Sequence, residues 1–175
     1  MLTVLLALAA SGSMAETDME AQLRSGKMLC SDPDVAQKTC SNIDRLDVAA
    51  DGSLINTGEK LLFPAQAVTM EVKSLAHFEN GAMCGSLDLA DLGKGTIRVG
   101  GQPVPADRNA AALEKLATLV KPMAGMKVCE SLRINEGKLV KIGQMQGVAT
   151  PIGKVVRWIT PDEGYRVAPA SNPAQ

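Results

Sequence analysis

Four cysteines, at positions 30, 40, 84 and 129, constrain this chain more than any other feature. Their spacing decides between three chemistries. A structural zinc site draws ligands from close pairs, because a shared knuckle pre-organises the tetrahedron. A thioredoxin-like dithiol needs Cys-x-x-Cys at a helix start, where the dipole lowers the thiol pKa. In LCSDPDVAQKTC nine residues separate Cys30 from Cys40, while Cys84 and Cys129 stand alone. Neither pattern occurs, so the even count predicts disulfides, which persist in oxidising compartments. The favoured connectivity is Cys30–Cys40 with Cys84–Cys129. Cross-pairing of 30 or 40 with 84 or 129 stays open, because Asp32-Pro33 reads as a helix start. A helix over 33–41 would separate the ends of the local loop by about 10 Å, whereas bridged Cα atoms sit about 4.4–6.8 Å apart.

The N-terminus, MLTVLLALAASGSMAETDME, points to the same compartment. Its apolar run over 2–10 is short of the roughly 20 residues that span a bilayer. Ser13 and Ala15 place small residues at the −3 and −1 positions of a secretory cleavage site, and charge begins at Glu16. The reading is a signal peptide over 1–15, a single domain over 16–167 and a disordered Pro/Ala/Ser-rich tail over 168–175. The expected location is the periplasm or the medium. Charges interrupt every later apolar run, so no transmembrane segment is expected.

Charge and aromatic content then exclude partners. Eighteen Lys and Arg stand against 19 Asp and Glu without a basic stripe, which argues against nucleic acid. Only 2% of residues are aromatic, too few for surfaces that stack rings on sugars or single strands.

Periodicity supplies the elements. Met19, Leu23 and Met28 mark a short amphipathic helix within 17–27. Val68, Met70 and Val72 alternate with Thr69, Glu71 and Lys73 as a half-buried strand does. Asp51-Gly52, Asn80-Gly81 and Asn135-Glu136-Gly137 signal hairpin turns. Short strands are expected at 96–99 and over KVVRWIT. Leu113, Leu116, Ala117 and Val120 share one helical face, with Asp107 placed to cap and Pro122 and Gly125 to end it. The class expected is α+β: a mostly antiparallel sheet with one long helix, 107–121, and short N-terminal helices.

Candidate chemistry is sparse, and the site expected is structural: Cys30, Cys40, Cys84 and Cys129 as disulfides, with no catalytic, cofactor-binding or metal residues assigned. His77, the single histidine, reads as a hairpin-end residue. Asp32, Asp34, Asp88 and Asp91 suit capping and turns, and DVAADGS lacks the alternating ligands and closing Glu of a calcium loop. Met123 and Met126 form a Met-x-x-Met pair of the kind that holds Cu(I), although methionine also fills cores poor in aromatics.

The setting of LCSDPDVAQKTC, the AMCGSL strand, and Trp158, Pro161, Gly164 and Tyr165 in VVRWITPDEGYRVAP resemble exported alphaproteobacterial proteins of unassigned function. That resemblance implies export and one domain, and carries over no activity. The functional expectation is a non-catalytic binding, inhibitory or structural envelope protein, with an unknown envelope protein or small ligand as partner and no cofactor. The alternatives are a small hydrolase with carboxylates assembled by the fold, or copper handling through Met123, Met126 and His77.

Overall fold

The computed structural model describes residues 17–146 and 153–170. The signal peptide expected over 1–15 and the end of the expected tail, 171–175, lie outside the described residues. Among the described residues, three α-helices and twelve strands follow in chain order. They are α1 (Met19–Arg24), β1 (Met28–Ser31), β2 (Thr39–Cys40), β3 (Asn42–Val48), β4 (Leu54–Phe63), β5 (Val68–Glu79) and β6 (Ala82–Ser86). Then come α2 (Leu89–Gly93), β7 (Thr96–Val99), β8 (Gln102–Pro103), α3 (Ala106–Val120), β9 (Lys127–Asn135), β10 (Lys138–Met145), β11 (Lys154–Ile159) and β12 (Arg166–Val167).

The expected α+β class is wrong. Strands hold 49% of the structure and helices 24%, and eight strands close into a barrel. The ring runs β1-β3-β4-β5-β6-β9-β10-β11 and back to β1, closed by the β4–β5 pairing within the extended sheet. Each ring neighbour is antiparallel and the order follows the chain, which makes an up-and-down barrel. The long helix does form, at Ala106–Val120, but it sits in the insertion between β6 and β9 and buries only Leu113. Asp107 does not cap it. Pro105 holds that place, and Asp107 lies in the first turn, where its charge suits the helix dipole. Asn109 fastens this helix to β7 and the loop before it, within the same insertion: its Oδ1 accepts from Ile97 N at 2.7 Å, and its Nδ2 donates to Gly95 O at 3.0 Å.

The helix expected over 33–41 is absent too. Asp32 adopts φ 50°, and Asp34 and Thr39 exchange backbone hydrogen bonds across a tight turn. The chain therefore doubles back, and Cys30 and Cys40 meet with a Cα separation of 5.5 Å. The second bridge, Cys84–Cys129, joins directly opposed residues of β6 and β9. Both pairings follow the favoured connectivity.

Strand alternation divides the residues into two shells. Leu29, Leu46, Phe78, Met83, Val156 and Trp158 point inward and form a core with Met19 and Leu23 of α1, each of which is 1% exposed. The helix stoppers one end of the barrel. Outside, Cys30, Cys40 and Ile159 make a second cluster with Tyr165. Asn80 and Gly81, at φ 51° and 79°, make the β5–β6 turn that requires left-handed backbone at both positions.

Candidate functional site

Beyond the apolar end, the barrel interior becomes polar. Asp44 on β3, Glu130 on β9 and Lys141 on β10 converge at its waist. Lys141 Nζ donates to Asp44 Oδ2 at 2.8 Å and to Glu130 Oε2 at 3.0 Å. Asn42 Nδ2 also donates to Asp44 Oδ2, at 2.7 Å. The side chains of Lys141 and Asp44 are 8% and 7% exposed. Gly58 makes room for this arrangement, since a Cβ there would stand 3.2 Å from Asp44 Oδ1.

Burial and charge act against one another here. Desolvation alone would lower the Lys141 pKa, but Asp44 and then Glu130 hold it above the ordinary lysine value. For Glu130, burial outweighs the nearby ammonium, and with repulsion from Asp44 it pushes the carboxyl above its usual range. The Glu130 side chain keeps 28% of its surface accessible. That surface lines a solvent-open pocket of about 220 Å³ that reaches into the barrel wall.

Asp44, Asn56, Ser74, Met83, Val128 and Glu130 contribute walls to this cavity. Its mouth lies between β5 and β6. Their pairing covers only His77 to Glu79 on β5, while β7 takes residues 68–71 on the same edge. Residues 72–76 therefore lack a ladder partner on that side. Ser74, Leu75, Ser86 and Leu87 rim the resulting window. Outside it, a larger groove of about 550 Å³ shares Ser74 and Leu75 and carries Glu71, Lys73, Asp91 and Lys94. The groove is more spacious, and both spaces open to solvent, but the buried ion group belongs to the smaller one. Chemistry favours the smaller space.

The residues singled out from sequence lie elsewhere. His77 projects from the outer face of β5, opposite Cys84, with its side chain 58% exposed and Nε2 at 3.6 Å from Glu79 Oε2. Lys127 pairs with Glu79 and, chiefly through that hydrogen bond, lowers its pKa. His77, Glu79 and Cys84 offer ligand atoms within 4.8 Å of one another. The Cys84 sulfur is bonded to Cys129, however, so it has no thiolate for a metal. Asp88 caps α2 by accepting from Ala90 N at 2.7 Å. Asp34 accepts from Gln37 N at 3.1 Å within the disulfide-closed turn. Asp91 pairs with Lys94 at 3.3 Å, and Asp32 with Lys154 at 2.8 Å. Met123 and Met126 are half-buried around the turn between α3 and β9.

Sequence reading missed Asp44, Glu130 and Lys141. The available signal was charge on the apolar phase of a strand: Asp44 shares its strand face with Leu46, and Lys141 shares its face with Leu139, both of which pack on the inner core. An inward charge on a half-buried strand requires a partner.

The fold and site together define a small disulfide-stabilised up-and-down barrel with a charged lumen. No protein-family model, curated protein or solved structure matches the chain.

Proposed function

We propose that this chain is an exported, non-catalytic binding protein that holds a small molecule in its barrel lumen. The carrying observation is the cavity of about 220 Å³ behind the β5–β6 window, bounded by Asp44, Asn56 and Glu130. An eight-stranded barrel is just wide enough to be filled by side chains or to hold one small ligand. Two disulfides and the apolar leader support export to the periplasm of an alphaproteobacterial envelope. A methyl-labelled protein beginning at Glu16 tests the binding reading against a library of small amines, alcohols and carboxylates. Saturable shifts confined to Ala76, Met83 and Val128 support it. A library that leaves those methyls unmoved sinks it.

The hydrolase reading gains one observation: two carboxylates, Asp44 and Glu130, face a single cavity, and Glu130 is held protonated to higher pH than usual. Binding is favoured because Lys141 bridges both carboxylates and occupies an oxygen on each. A general acid and a nucleophile need those oxygens for the substrate.

A further inference from the structure

Resting on the reading of the lumen as a binding site, we propose that its ligand is a small organic cation: a primary ammonium on a short apolar body, with the charged end seated on Glu130. The wall has the matching polarity. Its two charged groups are both carboxylates, and its neutral polar side chains are Asn56, Ser74 and Ser86. Lys141 is not part of that wall; its ammonium lies behind the carboxylates and is engaged by both. Only one ammonium contacts the two carboxylates, and Lys60 acts on Glu130 from further off, so the contacting group itself is short of one positive charge. A buried ion without compensation is costly, and it is relieved by a proton or by a cation that fits.

The geometry leaves a place for that cation. Glu130 gives Oε2 to Lys141, while its other carboxylate oxygen accepts no hydrogen bond from the described residues. The lumen-facing surface of Glu130 is the accessible part of the ion group, for Asp44 is closed off at 7% exposure. In the same wall, Asn56 Oδ1 is a buried acceptor without a donor. A ligand bearing N–H donors satisfies both, whereas a carboxylate or phosphate meets acceptors and repulsion. The rest of the cavity, Ala76, Met83, Leu87 and Val128, is apolar. That composition suits an alkyl body and disfavours a bare divalent ion, which would demand several more oxygen ligands.

n-Butylammonium, butyrate and 1-butanol are matched probes. Titration of the methyl-labelled protein is expected to give saturable shifts at Met83 and Val128 with n-butylammonium, and at least tenfold weaker binding of the other two. Glu130→Gln keeps the shape and removes the charge; it should weaken n-butylammonium about tenfold or more, the loss of one charge-assisted contact. Asn56→Leu gives an independent check if the first variant misfolds, and it should also weaken binding. Butyrate or butanol binding as tightly as n-butylammonium would overturn the proposal while leaving the binding reading intact. So would an amine affinity unchanged in both variants. Failure of all three probes overturns the amine assignment, and the wider library then judges whether the lumen binds anything.

Discussion

Lys141 is the residue on which the interior depends. Its ammonium is the counter-charge within hydrogen-bonding distance of both Asp44 and Glu130. Lys141→Met would leave two carboxylates facing each other in a low-dielectric space, and removing one member of a buried ion group costs about 3–5 kcal/mol. Urea denaturation at neutral pH measures that loss, and a change under about 1 kcal/mol would contradict the buried ion group. Glu130→Gln should behave oppositely. Glu130 has a folded pKa above its unfolded value, so the folded state holds the extra proton and gains stability at low pH. That contribution is complete below the unfolded pKa near 4.5 and is lost as pH rises through the folded value. The groups around Glu130 that set this window are Lys141, Asp44 and, further off, Lys60. The difference in unfolding free energy between wild type and Glu130→Gln should therefore shift against wild type as pH rises above 4.5. A pH-independent difference would contradict it. Of this scale, the disulfides were legible, because cysteine count and spacing restrict their options. The ion group was not: Lys141 lies 97 residues from Asp44, and no local pattern connects them.

At the scale of elements, hairpins were the most legible parts, since Asn80-Gly81 and Asn135-Glu136-Gly137 carry turn chemistry in adjacent residues. The segment 33–41 misled for a physical reason. Asp32-Pro33 is a genuine helix-start signal, but the bridge brings Cys30 and Cys40 to a Cα separation of 5.5 Å, which a two-turn helix cannot span. A covalent restraint overrode a local preference. The α1 stopper has the reverse character: its six residues would not hold a helix alone, and it is stable because Met19 and Leu23 enter the barrel. Asp18 caps it, accepting from Ala21 N at 3.0 Å. Leu23→Ala should cost about 2–5 kcal/mol, the usual range for truncating a fully buried leucine. Thermal or urea melts read the loss, and hydrogen exchange should show the surrounding barrel end opening first. Asp18→Ala should cost about 1 kcal/mol, the ordinary value of an N-cap. A loss larger than that of Leu23→Ala would mean that capping rather than plugging sustains the element.

For the whole molecule, period-2 alternation announced strands without announcing closure. Nothing in a strand's own residues says that β11 returns to β1, although that pairing of Met28 with Ile159 turns a meander into a barrel. The strongest local signal in the sequence is the helix at Ala106–Val120, which points to a sheet with helices although it only decorates the ring. Closure raises a physical question about the outer wall. Eight-stranded up-and-down barrels occur both in water and in outer membranes, and the outward residues distinguish the two. Alternation and register place Arg45, Glu59, Glu71, Lys73, Arg133 and Arg157 on the outside. Among the described residues these charges recur along the strands and interrupt any apolar band about 25 Å tall, and an Arg or Lys at a bilayer midplane costs roughly 2–4 kcal/mol each. Among the described residues these outward positions are charged, while one inner end is apolar. A protein beginning at Glu16 should therefore stay in the aqueous phase on Triton X-114 separation and fail to float with liposomes. Detergent-phase recovery, or folding that depends on added lipid, would require an outer face other than the one these strands present.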